Sequence, residues 1–507
     1  MKQIFLIVIL LLANRSFASP GTPLNPLIAP GTLAATSATL VWDKPECYDD
    51  IVCYHLFLDG KKIGTSTKCN YRLEGLEPAS WYSLSVKAED KSGELSPETT
   101  PVKFKTQLQG KVLNITDFGA KGDGTTINTK AIQKAIDACP KYGTVLIPDG
   151  KFVSGALFLK SNMTLEIAKG GILKGSGNTD DYLPMIDNRF AGWELKSYAS
   201  LINAGIMNSK GGFSVENLAI RGEGKVSGGG GQLGLAMKEK NGGDSRARLI
   251  LLMNCKNVDI QGLQIDSSPS WTIQYVYSKG VSLHDLNIVS TARNGDGIDP
   301  DSSDDSYIFN CTFSTGDDCI AIKSGKNPDG YYIGRPTRNV WITDCVFLRG
   351  HGISIGSEIS GGISNVLIRD CKAGPLNNGM QIKATKDRGG YVKDVRVMDC
   401  QLQKITIFSA LPYGNEGEPV PELPTYENLV FKNIDLIGAS VKTPVINING
   451  FKDKNHKLRK VQFSDIILPQ NAVVSINDAE HVHFLNVGTI TGDKPEYKIN
   501  NSTDIHY

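Results

Sequence analysis

Four short motifs rich in Asp, His and Lys lie between residues 294 and 383 of this 507-residue chain. Each motif lies in or beside a short apolar stretch typical of a β-strand, roughly one sequence repeat from the next. Stacked repeats place side chains from successive turns side by side. Three carboxylates, a histidine and a lysine are therefore predicted to meet on one face. Paired carboxylates are the groups that cleavage of a glycosidic bond requires. The motifs are Asn294-Gly295-Asp296, Gly316-Asp317-Asp318, Gly350-His351-Gly352 and Gln381-Ile382-Lys383.

The aspartates are the candidates for acid–base chemistry. Asp317 and Asp318 are neighbours, and neighbouring side chains on a regular strand point to opposite faces. Both can serve one cleft only if the backbone turns, which Gly316 permits. Clustered carboxylates repel, so at least one pKa rises and a proton stays available to donate. One carboxyl group can then protonate a glycosidic oxygen while the others, including Asp296, activate water.

Each of these residues also has a structural interpretation. A single Asp in a Gly-rich turn is usually a solvated turn residue, although clustering with a histidine disfavours that interpretation here. His351 could hydrogen-bond a substrate hydroxyl or tune a carboxylate, but a lone histidine is more often structural. Lys383 could pair with the carboxylate of an acidic sugar, but most lysines lie in solvent. Calcium binding is the competing interpretation of the acidic turns.

The positioning elements are short strand-like repeats, most of which end in Asn or Asp. Segments that begin at Val340, Val366 and Val395 are 26 and 29 residues apart. No helical period lies between them, so helix-containing repeats and βαβ folds fit poorly. The recurring Asn and Asp suit turns stabilised by side-chain hydrogen bonds, and the aligned apolar positions suit parallel sheets. The sequence predicts an all-β solenoid over residues 112–507.

Two further elements are predicted before the repeats. Residues 20–107 contain short alternating strands separated by turns, which indicates a small β-sandwich. A Gly-rich loop at 119–124 lacks the Lys-Ser/Thr pair of a phosphate-binding loop. A short amphipathic helix follows this loop and is interpreted as a cap on the solenoid, with apolar residues at helical spacing at Ala131, Ile132, Ala135 and Ile136.

Residues 1–18 have the pattern of a secretory signal peptide, with Lys2 before an apolar run and a cleavage site after Ala18. The run is short for a membrane anchor. We therefore expect an exported protein, periplasmic or secreted. Removing Lys2 and Arg15, with no acidic residue, lowers the formal charge of +1 by two, to −1. A near-neutral chain has no global field for a polyanion, so neither nucleic acid nor a membrane is an expected partner.

Five of the ten cysteines recur in one context, each directly after Asn or Asp. Export permits disulfides. The periodic placement nevertheless favours a buried stack of small apolar side chains. These residues are Cys255, Cys311, Cys345, Cys371 and Cys400.

With its four motifs the chain resembles glycoside hydrolase family 28, the polygalacturonases and related pectin hydrolases, over roughly residues 112–500. The resemblance implies a right-handed parallel β-helix and an inverting mechanism that uses no metal or other cofactor. The implied substrate is a pectic polysaccharide or oligosaccharide. By the same resemblance Asp317 is the general acid, Asp296 and Asp318 activate water, His351 lies beside them, and Lys383 binds a substrate carboxylate.

The fourth motif departs from the family pattern, which usually has Arg-Ile-Lys. Gln381 replaces the arginine, and a neutral amide cannot reproduce a bidentate clamp on a carboxylate. Hydrolysis is still expected, but a decorated or branched pectin becomes more plausible as the substrate. Arg388 could replace the lost charge. The expected substrate-binding residues are Lys383, Gln381, Asn294 and Arg388.

The sequence before the solenoid resembles a fibronectin type III domain, with Trp42 as the core tryptophan and Tyr82 as the corner tyrosine. Such a domain could bind carbohydrate or a partner. A spacer or packing role is favoured, since a fold alone implies no function.

Residues 223–243 and 325–336 are interpreted as long loops that wall off one end of the cleft, which favours exo attack. Two other functions stay open on sequence alone, a calcium-dependent pectate lyase and a non-catalytic pectin-binding solenoid. The intact Gly-Asp-Asp motif disfavours the second. The oligomeric state is left open.

Overall fold

The structure is a computed structural model that describes residues 19–376, 378–414, 416–453 and 458–507. The predicted signal peptide, residues 1–18, lies outside the described residues. The chain divides into two compact units, one up to residue 28 with 33–107 and one of 29–32 with 108–507. Within the described part of the chain, no helix combines the length and the apolar character needed to cross a membrane.

The first unit is an antiparallel β-sandwich of two sheets. One sheet contains β1, β2 and β5, and the other has the order β4-β3-β6-β7. Trp42 and Tyr54 are buried between the sheets with their rings edge to face, 5.3 Å apart. The strands are β1 (Leu24–Ile28), β2 (Ala38–Asp43), β3 (Ile51–Leu58), β4 (Lys61–Ser66), β5 (Asn70–Leu73), β6 (Trp81–Asp90) and β7 (Val102–Lys105).

The second unit consists almost entirely of short strands. Its helices are α1 (Thr129–Ala138), α2 (Gly230–Asn241) and α3 (Asp329–Ile333), with 3₁₀ turns at Ile115–Phe118, Thr179–Tyr182 and Gly243–Ser245. Its strands are β8 (Val112–Asn114), β9 (Asp123–Ile127), β10 (Gly143–Ile147), β11 (Gly150–Ser154), β12 (Leu157–Leu159), β13 (Met163–Ile167), β14 (Gly171–Gly175), β15 (Ile186–Phe190), β16 (Trp193–Ser197), β17 (Ile202–Ala204), β18 (Val215–Gly222), β19 (Lys225–Ser227), β20 (Ile250–Met253), β21 (Cys255–Gln261), β22 (Gln264–Asp266), β23 (Ile273–Val276), β24 (Lys279–His284), β25 (Asn287–Ser290), β26 (Ile298–Asp301), β27 (Asp304–Phe309), β28 (Thr312–Thr315), β29 (Ile320–Ile322), β30 (Thr337–Thr343), β31 (Val346–Arg349), β32 (Ile353–Ile355), β33 (Ile363–Arg369), β34 (Lys372–Ala373), β35 (Met380–Thr385), β36 (Tyr391–Gln401), β37 (Ile405–Ala410), β38 (Thr425–Asp435), β39 (Ile446–Asn449), β40 (Leu458–Leu468), β41 (Val473–Asn477), β42 (Ala479–Thr489), β43 (Glu496–Asn500) and β44 (Thr503–His506).

These strands form a parallel β-helix. Strands from successive coils pair in parallel, so that Val340, Val366 and Val395 lie side by side. Their aligned side chains are buried and fill the interior of the coil. One sheet of the unit has the order β12-β17-β20-β23-β26-β29-β32-β35-β37-β39-β41-β43. The prediction of an all-β parallel β-helix is confirmed.

Left-handed turns set the corners of the coils. The Asn or Asp before each of the five repeated cysteines has φ between 49° and 55°, a conformation that Asn and Asp tolerate better than most residues. After each turn the cysteine side chain is buried in the coil. Each Sγ donates to the backbone carbonyl two residues earlier, as Cys400 does to Met398 at 3.0 Å. The cysteines are thus the buried stack that their spacing indicates.

The ends and walls of the coil differ in part from expectation. Helix α1 buries Ile132, Ala135 and Ile136 in the solenoid core, as expected of a cap. The segments 223–243 and 325–336 are not simply long loops, because they contain α2 and α3. Glycines obscured the helical pattern of α2, which is fixed by burial of Leu233, Gly234 and Met237.

We expect Phe463→Ala to destabilise the β-helix by about 3–5 kcal/mol. Phe463 is fully buried and stacks between Phe431 at 4.8 Å and Phe484 at 4.9 Å. Removal of its ring leaves a cavity that parallel backbone pairing on both sides cannot close. Denaturant unfolding of the full chain measures the effect. The control Leu485→Ala, at a side chain that is 65% exposed, should change stability by less than about 0.5 kcal/mol. Equal effects of the two substitutions would contradict the expectation.

Candidate active site

Three of the four motifs lie just before strands β26, β29 and β32, and the fourth lies on β35; these are neighbouring strands of one parallel sheet. Ile298 pairs with Ile320, and Ile320 pairs with Ile353. Asp296, Asp318 and His351 each come two residues before these paired isoleucines, so the register brings them into one row. Residues spread over 90 positions of sequence therefore meet because each coil repeats the position of the last.

The two aspartates of this row line a cleft of about 850 Å³. The three motif aspartates, Asn294, Lys383 and Arg388 all line it. The lining has more cations than carboxylates, which suits a polyanionic ligand. Its carboxylates are Asp244, Asp296, Asp317, Asp318 and Glu358, and its cations are Lys238, Arg246, Arg293, Lys323, Lys326, Lys383 and Arg388.

Asp317 is the most accessible of the three motif aspartates, with a side chain 27% exposed. The hydroxyl of Thr315 donates to the backbone carbonyl of Asp317 at 2.8 Å and closes the turn through Gly316. That turn brings both Asp317 and Asp318 to the cleft. The Nδ1 atom of His351 lies 3.0 Å from the Asp317 carboxylate, and Asn294 Nδ2 lies 3.5 Å from it.

Asp318 is buried and surrounded by donors. Lys383 Nζ lies 3.3 Å, Gln381 Nε2 3.1 Å and His351 Nδ1 3.4 Å from its carboxylate. Burial alone would raise the pKa of Asp318. The Lys383 ammonium and the hydrogen bonds from His351 and Ser354 outweigh burial and hold this pKa below its usual range. Asp318 is therefore an anion at working pH.

Asp296 has the opposite electrostatic setting. Burial raises its pKa well above the usual range, and the charges of Asp299, Asp317 and Asp318 add to this, although Lys323 opposes it. Lys323 Nζ lies 3.2 Å from Asp296 and 3.0 Å from Asp299. Burial likewise raises the pKa of Asp299 to about 6. One lysine thus contacts both carboxyl groups.

His351 is cationic at neutral pH. Its hydrogen bonds to Asp317 and then to Asp318 raise its pKa to about 9, against a smaller opposing effect of burial. The imidazolium therefore lies between two carboxylates and can donate to either of them.

All four predicted substrate-binding residues contact protein groups, Lys383 at Asp318 and Asn294 at Arg246 among them. Gln381 Nε2 donates to Asp318 and, at 2.6 Å, to Ser354 Oγ, so the amide that replaces the family arginine orients a carboxylate. Arg388 lines the cleft, but its guanidinium makes two bonds of 3.1 Å to Glu416. The replacement charge expected from the sequence is thus already paired.

Lys323, Asp299 and Glu358 also belong to the site, although they are not among the residues predicted from the sequence. Lys323 Nζ lies 3.9 Å from Glu358 and 3.5 Å from the ring centre of Trp271. A signal for Lys323 is available, because the Ile322-Lys323 pair at the end of β29 repeats the Ile382-Lys383 pair of β35. Asp299 and Glu358 carry no such repeat.

The donor set fits Ca²⁺ poorly. The ligand atoms of Asp317, Asp318 and His351 lie within 4.8 Å of one another. Calcium prefers six to eight oxygen ligands, whereas this group includes an imidazolium. Asp318 is also in contact with Lys383. The group is better suited to pairing with cations of the protein than to a calcium-dependent lyase.

Comparison with known proteins agrees with this geometry. The family model described as "Glycosyl hydrolases family 28" matches residues 145–483. An exo-poly-α-D-galacturonosidase of Dickeya chrysanthemi is 27% identical and covers 89% of this chain and 88% of its own length. An endo-polygalacturonase of Pectobacterium parmentieri is 30% identical, covering 65% of this chain and 81% of its own.

A solved structure extends this similarity to 96% of the chain. The family 28 exopolygalacturonase of Yersinia enterocolitica superposes with a TM-score of 0.87 at 26% identity, covering 96% of this chain and 99% of that one. The matched family residues include all four motifs and the strands that carry them. The chain therefore belongs to family 28 of the glycosyl hydrolases.

Proposed function

We propose that this protein hydrolyses α-galacturonosyl linkages of pectic polysaccharides from a chain end, with inversion at the anomeric carbon. The observation that carries the proposal is the convergence of Asp296, Asp317 and Asp318 in a cleft with excess positive charge. Carboxylates supply the acid and the base of glycoside hydrolysis, and the cations suit a substrate with a carboxylate on each sugar.

The surroundings of the aspartates support different roles for each. Asp317, the most accessible, protonates the leaving oxygen. Asp318 is held as an anion by Lys383, and Asp296 has a raised pKa, which makes it the stronger base once it is ionised. These two carboxylates orient and deprotonate the attacking water.

The position of His351 suits the charge that develops during the reaction. When Asp317 gives up its proton it becomes a carboxylate, and the imidazolium lies 3.0 Å away to donate a hydrogen bond to it. A hydrogen bond from a cation favours the ionised form of a carboxyl group. His351 thereby lowers the cost of proton donation.

Exo action is supported by the relatives from Dickeya and Yersinia, whose names specify exo enzymes and whose similarity spans nearly the whole chain. Helix α2 contributes five residues to the cleft lining, and Tyr413 and Gly414 also border it. We infer that these segments close one end of the cleft. Galacturonan is the proposed substrate, and decorated pectins are alternatives that the experiment below separates.

We infer that the sandwich is of the fibronectin type III kind and acts as a spacer or packing module. In support, Trp42 is in its core, and the hydroxyl of Tyr82 accepts from the backbone N–H of Glu77 at 2.9 Å, the contact of a tyrosine corner. A crystal structure without this contact would contradict the assignment.

We propose that residues 1–18 are a signal peptide and that the mature protein is exported, on the strength of the charged, apolar and small-residue pattern. The mature chain is expected to begin at Ser19. N-terminal sequencing of the protein recovered outside the cytoplasm measures this. Recovery of the chain only in the cytoplasm with Met1 in place would refute the proposal.

The products from a panel of homogalacturonan, rhamnogalacturonan and branched pectin fragments test the function. Exo hydrolysis should release only monomeric galacturonic acid from homogalacturonan, because one end of the chain is seated against the closed end of the cleft. Chromatography of early products measures this. A ladder of oligomers would refute exo action. Release from the branched fragments alone would assign a decorated substrate, and unsaturated products that absorb in the ultraviolet would indicate a lyase.

Asp317→Asn is the matched variant for that experiment. It keeps the size of the side chain but removes the transferable proton, so the rate should fall by about 10²–10⁴-fold. Asp137→Asn, at an exposed position of α1, should retain full activity. Unchanged unfolding midpoints in both variants show that the loss is chemical. Full activity of the Asp317 variant would contradict its assigned role.

The acid side of the pH profile should depend on the Asp296–Asp299 pair. Activity requires ionised Asp296, so kcat/KM should fall as the pH drops through the raised pKa of Asp296. Asp299→Asn removes a negative charge that raises the pKa of Asp296. The acid limb should therefore move to lower pH. A limb that stays in place or moves to higher pH would contradict the coupling.

A further inference from the structure

The sandwich contains a second cluster of reactive side chains, on the face of the β4-β3-β6-β7 sheet that points away from its core. Cys53 and His55 are two residues apart on β3 and so share a face. Tyr54 and Leu56, which alternate with them, are buried in the core. Glu89 on β6 pairs directly opposite Cys53. Because β3 and β6 are the central strands of the sheet, the backbone fixes these three positions.

The three side chains converge on a single oxygen. Cys53 Sγ lies 3.3 Å from Glu89 Oε2, and His55 Nε2 contacts the same oxygen. The three potential ligand atoms all lie within 4.8 Å of one another. The His55 side chain is only 11% exposed and that of Glu89 is 29% exposed. The group is therefore partly desolvated, yet solvent can reach it from the Glu89 side.

We propose that Cys53, His55 and Glu89 form a binding site for a zinc-class transition-metal ion, with the fourth coordination position open to water. Thiolate, imidazole and carboxylate are all zinc ligands, and bonds of about 2.0–2.3 Å leave tetrahedral ligand atoms between about 3 and 4 Å apart. The separation of Cys53 from Glu89 falls in this range. A thiolate ligand disfavours Ca²⁺ and Mg²⁺.

The contacts of the cluster agree with this geometry. Cys53 and His55 both hydrogen-bond to Oε2 of the Glu89 carboxylate. A divalent cation placed between the three groups would stabilise the same carboxylate. On binding, the S–H bond of Cys53 breaks, its proton leaves to solvent, and the sulfur forms a bond to the metal.

The site would join the two central strands of the sandwich through side chains. A second group, His483, Asp504 and His506, also brings ligand atoms together in the β-helix unit. It lacks sulfur, and its side chains are at least 40% exposed. The Cys53 cluster is the better candidate because it is partly buried and is fixed by strand pairing.

Cobalt(II) added to the full-length protein under reducing conditions tests the proposal. One equivalent should give a thiolate-to-cobalt charge-transfer band in the near ultraviolet together with the strong visible bands of tetrahedral cobalt, and Zn²⁺ should displace both. Cys53→Ser should abolish the charge-transfer band. Absence of the band at excess cobalt, or its persistence in the Cys53 variant, would overturn the proposal.

Matched variants locate the remaining ligands. Cys47→Ser, at an exposed cysteine of the same unit, should leave the band and the affinity unchanged, as should His483→Ala. His55→Gln and Glu89→Gln should each weaken Zn²⁺ affinity by at least about 10–100-fold. Loss of a residue that only supports a metal ligand already has an effect of this size. Unchanged affinity in both of these variants would show that cobalt is held elsewhere. Circular dichroism confirms that each variant is folded.

Discussion

Parallel, in-register pairing of each coil with the next is the constraint on which the rest of the structure depends. It sets Ile298, Ile320 and Ile353 side by side, and with them the catalytic row two residues earlier. Side chains alternate along a strand, so a slip of one residue would turn Asp318 and His351 away from the cleft. The left-handed corners and the buried cysteine stack hold this register from coil to coil.

The same stacking gives Asp318 and Asp296 different pKa values, although their side chains are chemically identical. Lys383 lies beside Asp318 and helps to keep it ionised. Lys323 is shared among Asp296, Asp299 and Glu358, so one cation faces three acids and the pKa of Asp296 stays high. Different protonation of neighbouring carboxyl groups is what a glycoside hydrolase needs. Here the difference in protonation arises because Lys323 and Lys383 lie on different coils.

Much of the fold and part of the site can be predicted from the sequence. The repeat of Val340, Val366 and Val395 predicts the solenoid, because each coil is one continuous stretch of sequence and its period therefore appears as a sequence repeat. Residues 223–243 were harder, since their glycines masked a helix whose stability comes from burial against the coils. The sequence predicts that Gln381 contacts substrate, but its amide bonds to Asp318 and Ser354, partners on other coils that no local pattern indicates.

Spacing along the chain is enough to predict which residue types meet, because it matches the coil and the motifs match the family. Asp296, Asp317, Asp318, His351 and Lys383 can thus be placed together from the sequence. Which of them holds a proton, a charge or a hydrogen bond to the protein depends on the folded structure. A pKa depends on burial and on the distance to charges from other coils, and neither quantity can be read along a single strand.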